Sequence, residues 1–452
     1  MTLNRRDFLG TAAALGAITG FAPLSNAAAS DLVNPPAAYK LRPGKPFAGT
    51  TITVMLPNAA QYRGQARHLS QLEAMTGIKA YYSWVPYAQL LDKITIEAVA
   101  GSSTYDLVTY QDSWGPALSN YLEPIDAWLA RDQFDLDSYP DVFRQATRFQ
   151  GATYGLPVRG QAQLLFYRKD LLRQLDLPPP QTWEELIEVS KAIEKKTGLH
   201  GIAMDYGKGN GAQNLFTWFN FLWGKGSELV DANGRAKFND AAGIDATQSY
   251  LDLLLKYKVA NPGSVQFQEN DKLNSMAQGN SAMMCGWWWG YPVMIGANGR
   301  LTYEQVGFTQ IPSFEKGRRV TLGNCMPISV SKLSKKKEAA WECLKWMANP
   351  DLEIATATDK SLPKNSDMIV TRTASFENES VNRAHHGIHR EGLKSLLAAR
   401  AIPQLRAWPN VAALLESGIS ELASNGQPVK PALDAIAIQV DRITRKSGDR
   451  RA

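Results

Sequence analysis

The sequence has little cysteine, no long apolar run in the main part of the chain and no strong excess of one charge. Three cysteines among 452 residues, with no Cys-x-x-Cys pair, exclude a disulfide framework and leave at least one thiol free. We expect that Cys285 and Cys325 do not pair, although their spacing alone leaves this open. A net charge of +6 spread along the chain gives no reason to expect a nucleic-acid partner. The chain is long enough for about two or three domains with sizeable cores.

The N-terminus carries three signals that are typical of an export sequence. Residues 4–10, NRRDFLG, match a twin-arginine signature, a short apolar run follows at 11–21, and small residues at 25–29 offer cleavage sites. The alternative is a disordered tail with a chance arginine pair. We predict that residues 1–29 are a removed twin-arginine signal peptide and that the mature protein is periplasmic. No cysteine follows the cleavage region, so we expect no lipid anchor, and no later segment is apolar enough to span a bilayer.

Alternating patterns in the first part of the mature chain predict a parallel α/β sheet. They indicate strands at residues 51–56, 78–84 and 105–110 and helices at 61–76 and 87–100. Ligands bind at the carboxyl ends of the strands in such sheets. Four polar or aromatic residues follow the first and third strands and become candidate binding residues: Asn58, Gln61, Asp112 and Trp114.

The stretch from 154 to 185 predicts a change from one structural unit to another. Glycine and proline at 155–157 exclude a helix interior there, and the apolar run at 163–167 predicts a buried strand. Three prolines at 178–180 form a stiff spacer. Thr182 and Glu185 then have the spacing of a capping box, which predicts a helix through Lys196.

This stretch resembles a known family. YGLP at 154–157, YRKDL at 167–171 and PPQTWEE at 179–185 are similar to motifs of the family 1 solute-binding proteins of bacterial ABC importers, which include maltose/trehalose-binding proteins. Further similar motifs are LEPID at 122–126, the GNSAMM entry to a strand at 279–284 and SKLSKKKEAAW at 331–341. Segments 398–408 and 433–443 resemble the C-terminal helices of these proteins.

The resemblance implies a two-lobed periplasmic-binding-protein (type II) fold. Each lobe is expected to be a mainly parallel sheet flanked by helices, with hinge crossings near 157 and at 306–312. The implied N-terminal lobe comprises residues 48–157 and 312–372. The implied C-terminal lobe comprises 158–311 and 373–448.

The resemblance also implies ligand contacts. It places a ligand carboxylate at Asp112, hinge contacts at Arg159 and Gln161, and a stacking tryptophan at Trp287. Further candidates are Trp288, Asn324 and Lys360. Aromatic faces stack on the C–H faces of a sugar, and carboxylates, amides and arginine bind its hydroxyls. In the family a tryptophan often stands where this sequence has Cys325, which puts a second stacking platform in doubt.

Each of these residues also has a structural interpretation. Asp112 can cap a helix, Arg159 can form an ion pair between the lobes, and the tryptophans at 287–289 can pack in a core. Three tryptophans in a row cannot all face one core, so at least one is expected at a cleft or the surface.

Other motifs give no catalytic or metal site. His385, His386 and His389 have a spacing that suits a metal on a helix, but Gly387 lies between them and solvated histidines are the better interpretation. The glycine-rich segment 207–211 lacks the features of a phosphate-binding loop and is interpreted as a loop near the cleft. We therefore predict no enzyme activity, no cofactor and no metal.

The predicted function is the periplasmic substrate-binding component of an ABC importer. It captures a carbohydrate, either a mono- or oligosaccharide or a polyol, in a cleft between the lobes and delivers it to the membrane permease. The alternatives are an exported carbohydrate-active enzyme and a ligand sensor on the same fold. The protein is expected to be a monomer that is not embedded in a membrane, while the solute, its affinity and the permease stay open.

Overall fold

A mixed nine-stranded sheet runs through the computed structural model, which describes residues 39–209, 211–295, 299–363, 366–367 and 370–450. Its main path has the order β2-β1-β3-β10-β6-β8-β7, with β9 also paired to β6 and β11 to β10. The strands are β1 Thr51–Pro57, β2 Lys79–Val85, β3 Leu107–Thr109, β4 Arg148–Phe149, β5 Ala152–Thr153, β6 Leu156–Arg168, β7 His200–Ala203, β8 Ser281–Trp287, β9 Val306–Gln310, β10 Thr321–Val330 and β11 Ala399–Arg400. Strands β4 and β5 form a separate hairpin sheet.

Helices cover both halves of this sheet. In chain order they are α1 Ala60–Ala66, α2 Leu69–Thr76, α3 Tyr87–Val99, α4 Gly115–Leu118, α5 Asp126–Arg131, α6 Asp141–Thr147, α7 Lys169–Gln174, α8 Trp183–Thr197, α9 Gln213–Gly224, α10 Ala241–Leu255, α11 Glu269–Ala277, α12 Gly290–Met294, α13 Lys337–Met347, α14 Pro350–Thr358, α15 Thr373–Glu377, α16 Glu379–Ala384, α17 Ile388–Leu397, α18 Trp408–Asn425 and α19 Val429–Ser447. Short 3₁₀ turns occupy Asp112–Trp114 and Pro262–Val265.

The first half-sheet, β2-β1-β3, has the predicted parallel pairing. β1 pairs with β2 in full register from Thr51↔Lys79 to Pro57↔Val85, and with β3 at its centre. The helix predicted over 61–76 is instead two helices, α1 and α2, with the break at residues 67–68. α2 ends at Gly77, whose φ of 73° is the left-handed conformation that glycine accommodates without strain.

Two long strands join the two half-sheets. β6 is continuous from Leu156 to Arg168, so the predicted crossing at 155–157 and the predicted strand at 163–167 belong to one element. Its first part pairs antiparallel with β10, and its last part lies between β9 and β8, antiparallel to both, in the second half-sheet, β9-β6-β8-β7. β10 in turn pairs antiparallel with β3. The two half-sheets are therefore connected through β6 and β10 alone among the described strands.

The segment expected to form the second crossing lies elsewhere. Val306–Gln310 is β9, which stays in the second half-sheet and pairs with Leu164–Arg168 of β6. The return to the first half-sheet is made by β10, which begins at Thr321. β9 and β10 run in the direction opposite to β6, and β10 also runs opposite to β3, so these pairs of the sheet are antiparallel.

The capping box predicted after the proline spacer is present. The Thr182 hydroxyl accepts from the Glu185 backbone N–H at 3.1 Å, and a Glu185 carboxylate oxygen accepts from the Thr182 N–H at 3.2 Å. Helix α8 begins at Trp183 and ends at Thr197, one residue beyond the prediction. Trp183 stacks on Phe221 of α9 with ring centroids 4.1 Å apart, which anchors the start of α8 in the core.

The C-terminal region only partly follows the expectation. Residues 433–443 lie within α19, but the helix expected at 398–408 is wrong. Ala399 and Arg400 form β11 instead, which pairs parallel with the start of β10. Pro403 follows within three residues and cannot continue a helix, so α18 begins only at Trp408.

All three cysteines are buried and free. Cys285 and Cys325 do not pair, as expected. Burial raises the pKa of the Cys285 thiol to about 12, and it also raises the pKa values of Cys325 and Cys343. The thiols are therefore protonated near neutral pH and pack as small apolar groups.

Candidate functional site

A cleft of about 290 Å³ lies between the two half-sheets. Both half-sheets and both connecting strands contribute to it. Its lining consists of Pro57, Asn58, Ala59, Ala60, Gln61, Tyr87, Gln111, Arg159, Gln161, Gln213, Phe216, Glu269, Asn270, Trp287, Trp289 and Met326.

The first half-sheet presents residues from the carboxyl ends of its strands. Asn58 directly follows β1, and its backbone N–H donates to the Val85 carbonyl at 2.7 Å. Arg63 donates to the Asn58 side-chain oxygen at 2.6 Å, which orients that amide. Gln61 lies in the first turn of α1, and Gln111 follows β3. Parallel pairing brings these strand ends to one edge, which is the location that an open α/β sheet favours for a ligand.

The floor of the cleft is one face of β6 and β10. Side chains alternate between the two faces of a strand, so Arg159 and Gln161 share a face and Gly160 faces the other way. Their partners on β10 are Met326 and Asn324, in register. Asn324 is buried, and neither atom of its amide has a hydrogen-bond partner among the described residues.

Arg159 is the cationic side chain of the cleft lining. It is 9% exposed, and its guanidinium donates to Met326 Sδ at 3.1 Å and to Gln161 Oε1 at 3.5 Å. No ion pair within the described residues includes it, so the expected alternative of an interlobe ion pair is not what the structure shows. Burial lowers the pKa of this guanidinium, and the hydroxyls of Tyr62 and Tyr87 oppose that shift.

Aromatic side chains form a wall of the cleft beside the connecting strand β6. Trp287 ends β8 and meets Phe216 of α9 edge to face, with ring centroids 5.7 Å apart. Trp289 lines the same wall, and its indole N–H has no acceptor among the described residues. Tyr87 lies on the side of the first half-sheet and donates to Gln111 Oε1 at 3.4 Å.

A buried polar chain begins at Glu269 in the cleft wall. Lys272 lies 3.0 Å from Glu269 Oε2 and 2.9 Å from Asp205 Oδ2, and all three side chains are buried. Burial raises the pKa of Asp205 to about 6, although the Lys272 ammonium opposes the shift. The chain continues as the Thr217 hydroxyl donates to Asp205, the Gln163 amide donates to Thr217 and the Asn220 amide donates to Gln163. It ends at the Leu322 backbone N–H of β10, which donates to the Asn220 side-chain oxygen. It thereby ties the cleft wall to a connecting strand.

Asp112 and Trp114 lie directly behind the lining. Asp112 accepts from the Cys325 backbone N–H at 3.0 Å and from the Gln111 side-chain amide at 2.8 Å, so it joins β10 to a lining residue. Burial raises its pKa to about 7. Trp114 is buried and stacks on Tyr87 with ring centroids 5.7 Å apart. Both residues hold the cleft residues in place from behind.

Two predicted site residues lie away from the cleft. Trp288 follows Trp287 at the end of β8 and faces the other way, where it packs against Phe376 in a separate apolar cluster. Lys360 is exposed in the turn after α14. Arg67 donates to the Ser361 carbonyl in that turn at 3.2 Å, which fastens it to the end of α1.

The structure adds lining residues that the sequence did not indicate. They are Tyr87, Gln111, Gln213, Phe216, Glu269, Asn270, Trp289 and Met326. Gln111 immediately precedes Asp112, so the rule for strand ends already pointed to it. Glu269 and Gln213 are first residues of α11 and α9, and only the tertiary arrangement brings these helix starts to the cleft.

The histidines at 385–389 form no metal site in the described part of the chain. His385 contacts the Ala357 carbonyl at 2.7 Å through Nε2 and lies edge-on to His389. His389 is fully buried, and burial holds its pKa well below the usual range. The prediction of solvated histidines is wrong for His385 and His389, because both side chains are buried and His389 of α17 packs against Trp288 and Phe376.

A family model described as bacterial extracellular solute-binding protein matches residues 57–353, about two thirds of the chain. The chain belongs to this family. It is a substrate-binding protein of an ABC transporter, and its family and fold are those of non-enzymatic solute-binding proteins. None of the helices in the described residues has the length and apolar character needed to cross a membrane.

Curated and solved relatives agree with this assignment. The solute-binding protein is 24% identical over 320 residues to the "Probable amino-acid ABC transporter periplasmic-binding protein y4oP" of Sinorhizobium fredii (strain NBRC 101917 / NGR234), covering 68% of this chain and 71% of that one. The structure of maltose-bound MalE3 of T. maritima has a TM-score of 0.78 at 21% identity, over 87% of this chain and all of that one. A solute-binding protein of Agrobacterium radiobacter K84 in complex with ribitol has a TM-score of 0.76 at 22% identity, over 88% of this chain and all of that one. These likenesses show the two-lobed α/β fold that the sequence predicted.

Proposed function

We propose that this solute-binding protein captures a single sugar ring or a linear polyol in the cleft between its lobes and delivers it to an ABC permease. The observation that carries the proposal is the combination of aromatic faces and side-chain amides in one cleft of about 290 Å³. A structural relative with bound ribitol supports the same ligand class, and another with bound maltose supports the binding of carbohydrate in general.

The volume of the cleft favours a small ligand. Pockets that hold small ligands have volumes of about 300–1,000 Å³, and the cleft of about 290 Å³ lies at the small end of that range. That room suits a sugar or polyol of five or six carbons.

The lining provides both kinds of contact that a hydroxylated ligand requires. Trp287, Phe216 and Trp289 offer apolar and aromatic surface to its C–H groups. Gln161 on the floor, together with Gln213 and Glu269 of the lining, offers donors and acceptors to its hydroxyls. Burial of a hydroxyl without such partners is unfavourable, which makes this set selective for polar solutes.

The lobe assignment belongs to the proposal. We assign residues 48–157 and 312–372 to the N-terminal lobe and 158–311 and 373–448 to the C-terminal lobe. A ligand that contacts both lobes stabilises the closed arrangement, and the closed form is the one handed to the permease. The same proposal includes export by the twin-arginine route to the periplasm without a lipid anchor, and a monomeric state. The signal residues 1–29 lie outside the described part of the chain.

A ligand panel tests the proposal directly. The purified protein without its signal is screened by thermal shift and titration calorimetry against pentoses, hexoses, disaccharides, the matching polyols and the standard amino acids. We expect a monosaccharide or polyol to raise the melting temperature and to be recovered unchanged. An amino acid as the sole ligand would instead support the ligand class named for the Sinorhizobium fredii relative, and product formation from a glycoside would support an exported enzyme.

Neighbouring tryptophans provide a matched pair of variants. We expect Trp287→Ala to weaken the binding of the ligand found in the panel by about tenfold or more, since it removes an aromatic wall of the cleft. We expect Trp288→Ala to lower the free energy of unfolding by about 3–5 kcal/mol, because that side chain is fully buried, and to leave affinity within about threefold. Both quantities are measured on each variant, by urea unfolding and by calorimetry. Equal stability losses with unchanged affinity in both would show that Trp287 is a core residue.

A further inference from the structure

The floor of the cleft contains a buried positive charge that no acidic side chain neutralises. Arg159 is 9% exposed, and the partners of its guanidinium are the Met326 sulfur and the Gln161 amide oxygen. Both are neutral, and the 3.5 Å contact to Gln161 is long for a hydrogen bond. The guanidinium has five N–H groups, so most of its donor capacity is left for a molecule in the cleft.

The carboxylates near the cleft are already engaged elsewhere. Glu269 and Asp205 share the Lys272 ammonium at 3.0 and 2.9 Å. Asp112 accepts from two backbone N–H groups and from the Gln111 amide, and it lies behind the lining. Within the described residues no carboxylate comes within ion-pair distance of Arg159. The counter-charge must therefore come from solvent or from the ligand.

An unpaired buried cation is unfavourable, and an anion that enters the cleft removes that penalty. The planar fork of arginine matches a carboxylate with two parallel hydrogen bonds. A phosphate dianion calls for more than one positive charge, and Arg159 is the one cation among the described lining residues. The geometry of the fork suits either anion, and the single positive charge favours a single carboxylate.

We propose that the natural ligand is a hydroxylated monocarboxylic acid of five or six carbons, an aldonic or uronic acid, whose carboxylate binds Arg159. This inference rests on the proposed function and narrows its ligand class. The hydroxylated part of the acid lies along the aromatic wall, with Glu269 and the floor amides as partners for its hydroxyls. Neutral sugars and polyols leave the Arg159 charge unpaired and bind more weakly.

Matched pairs of ligands test the inference at pH 7.5 by calorimetry. The pairs are D-gluconate with D-glucitol, D-glucuronate with D-glucose, and the corresponding galacto and pentose compounds, with D-glucose 6-phosphate as the phosphate arm. In at least one pair we expect the acid to bind about 10- to 100-fold more tightly than its neutral partner. That preference should weaken as salt is added.

Arg159→Gln distinguishes a charge contact from a structural role. We expect the variant to lose the preference for the acid, so that the acid and its neutral partner bind with affinities within about threefold of each other. The ligand-free variant should melt no lower than the wild type, because the substitution removes an unpaired buried charge. Arg173 is an exposed arginine of α7 away from the cleft. Arg173→Gln removes the same charge and should retain the preference for the acid.

The outcomes separate the inference from the proposed function. Neutral sugars or polyols that bind as tightly as their acids in every pair overturn the inference and leave the proposed function standing. Tightest binding of the phosphate arm overturns the assignment to a carboxylate. Absence of binding by every sugar, polyol and acid overturns the proposed function and the inference together.

Discussion

Asp112 illustrates at the residue scale how a buried carboxyl group supports the cleft without lining it. Its two oxygens accept from Cys325, Ser113 and Gln111, and so connect a strand, a turn and a cleft amide. Burial nevertheless raises its pKa from an ordinary 3.8 to about 7. A carboxyl with a raised folded-state pKa contributes stability below its unfolded pKa, and this contribution is lost as the pH rises through the folded pKa.

The raised pKa of Asp112 gives a prediction about pH. Between about pH 4 and 7 the folded state holds a proton that the unfolded state releases, so the contribution of Asp112 falls by on the order of a few kcal/mol. We expect Asp112→Asn, which cannot titrate, to show a flatter dependence of the free energy of unfolding on pH in this window. Urea unfolding at several pH values checks this. Parallel curves for the two proteins would mean that Asp112 does not titrate in the window.

Sequence reasoning located five lining residues because strand ends and motifs are local signals. Asn58 and Gln61 follow a strand that the pattern predicts, the family resemblance indicated Arg159, Gln161 and Trp287, and all five line the cleft. Whether they bind ligand stays a prediction.

The cleft residues that sequence reasoning missed depend on tertiary structure. Glu269 and Phe216 come from helices whose distance from β6 is set by packing, which no local pattern reveals. The placement of Trp288 failed for another reason. Trp288 follows the last residue of β8 and packs against Phe376 in a separate apolar cluster, which the motif alone does not reveal.

At the scale of the element, β6 is the strand on which both half-sheets depend. Gly160 lies at its centre, opposite Cys325 of β10, on the face away from the cleft. A Cβ atom at this position would lie 2.2 Å from the ring of Phe143, a fully buried residue of α6. The close packing of α6 against β6 therefore requires glycine here.

Substitution of this glycine tests the packing. We expect Gly160→Ala to lower the free energy of unfolding by about 1–3 kcal/mol, because the buried ring has to move. Gly286→Ala in β8 is the matched control, since its added methyl meets the end of the flexible Met284 side chain. Gly286→Ala should lower the free energy of unfolding by less than Gly160→Ala does in the same urea titration. An equal cost for both variants would count against a special role for the contact with Phe143.

Helix boundaries were predicted well where a capping signal or a glycine marks them. α8 has both, with a capping box at its start and Gly198 at its end. The interruption between α1 and α2 has neither glycine nor proline, and apolar periodicity continues through it. Such a break is invisible to sequence patterns because it depends on how each short helix packs.

For the whole molecule, the two connections through β6 and β10 define how the lobes can move. A ligand that touches the strand ends of one lobe and the aromatic wall of the other draws the two together. We expect the radius of gyration, measured by small-angle X-ray scattering, to fall when the ligand identified in the panel is added. Trp287→Ala at the same ligand concentration should show little change. A radius that is the same with and without bound ligand would show that capture does not require closure.

The three sequestered thiols have a consequence for the lifetime of the protein outside a reducing compartment. While the chain is folded they are protonated and out of reach of oxidants, so they cannot enter thiol–disulfide exchange. Complete unfolding exposes all three thiols, and any two of them can then form a disulfide that is absent from the native structure. In an oxidising compartment these disulfides make unfolding irreversible. The lifetime of the protein then depends on the rate of unfolding and not on the equilibrium free energy of unfolding.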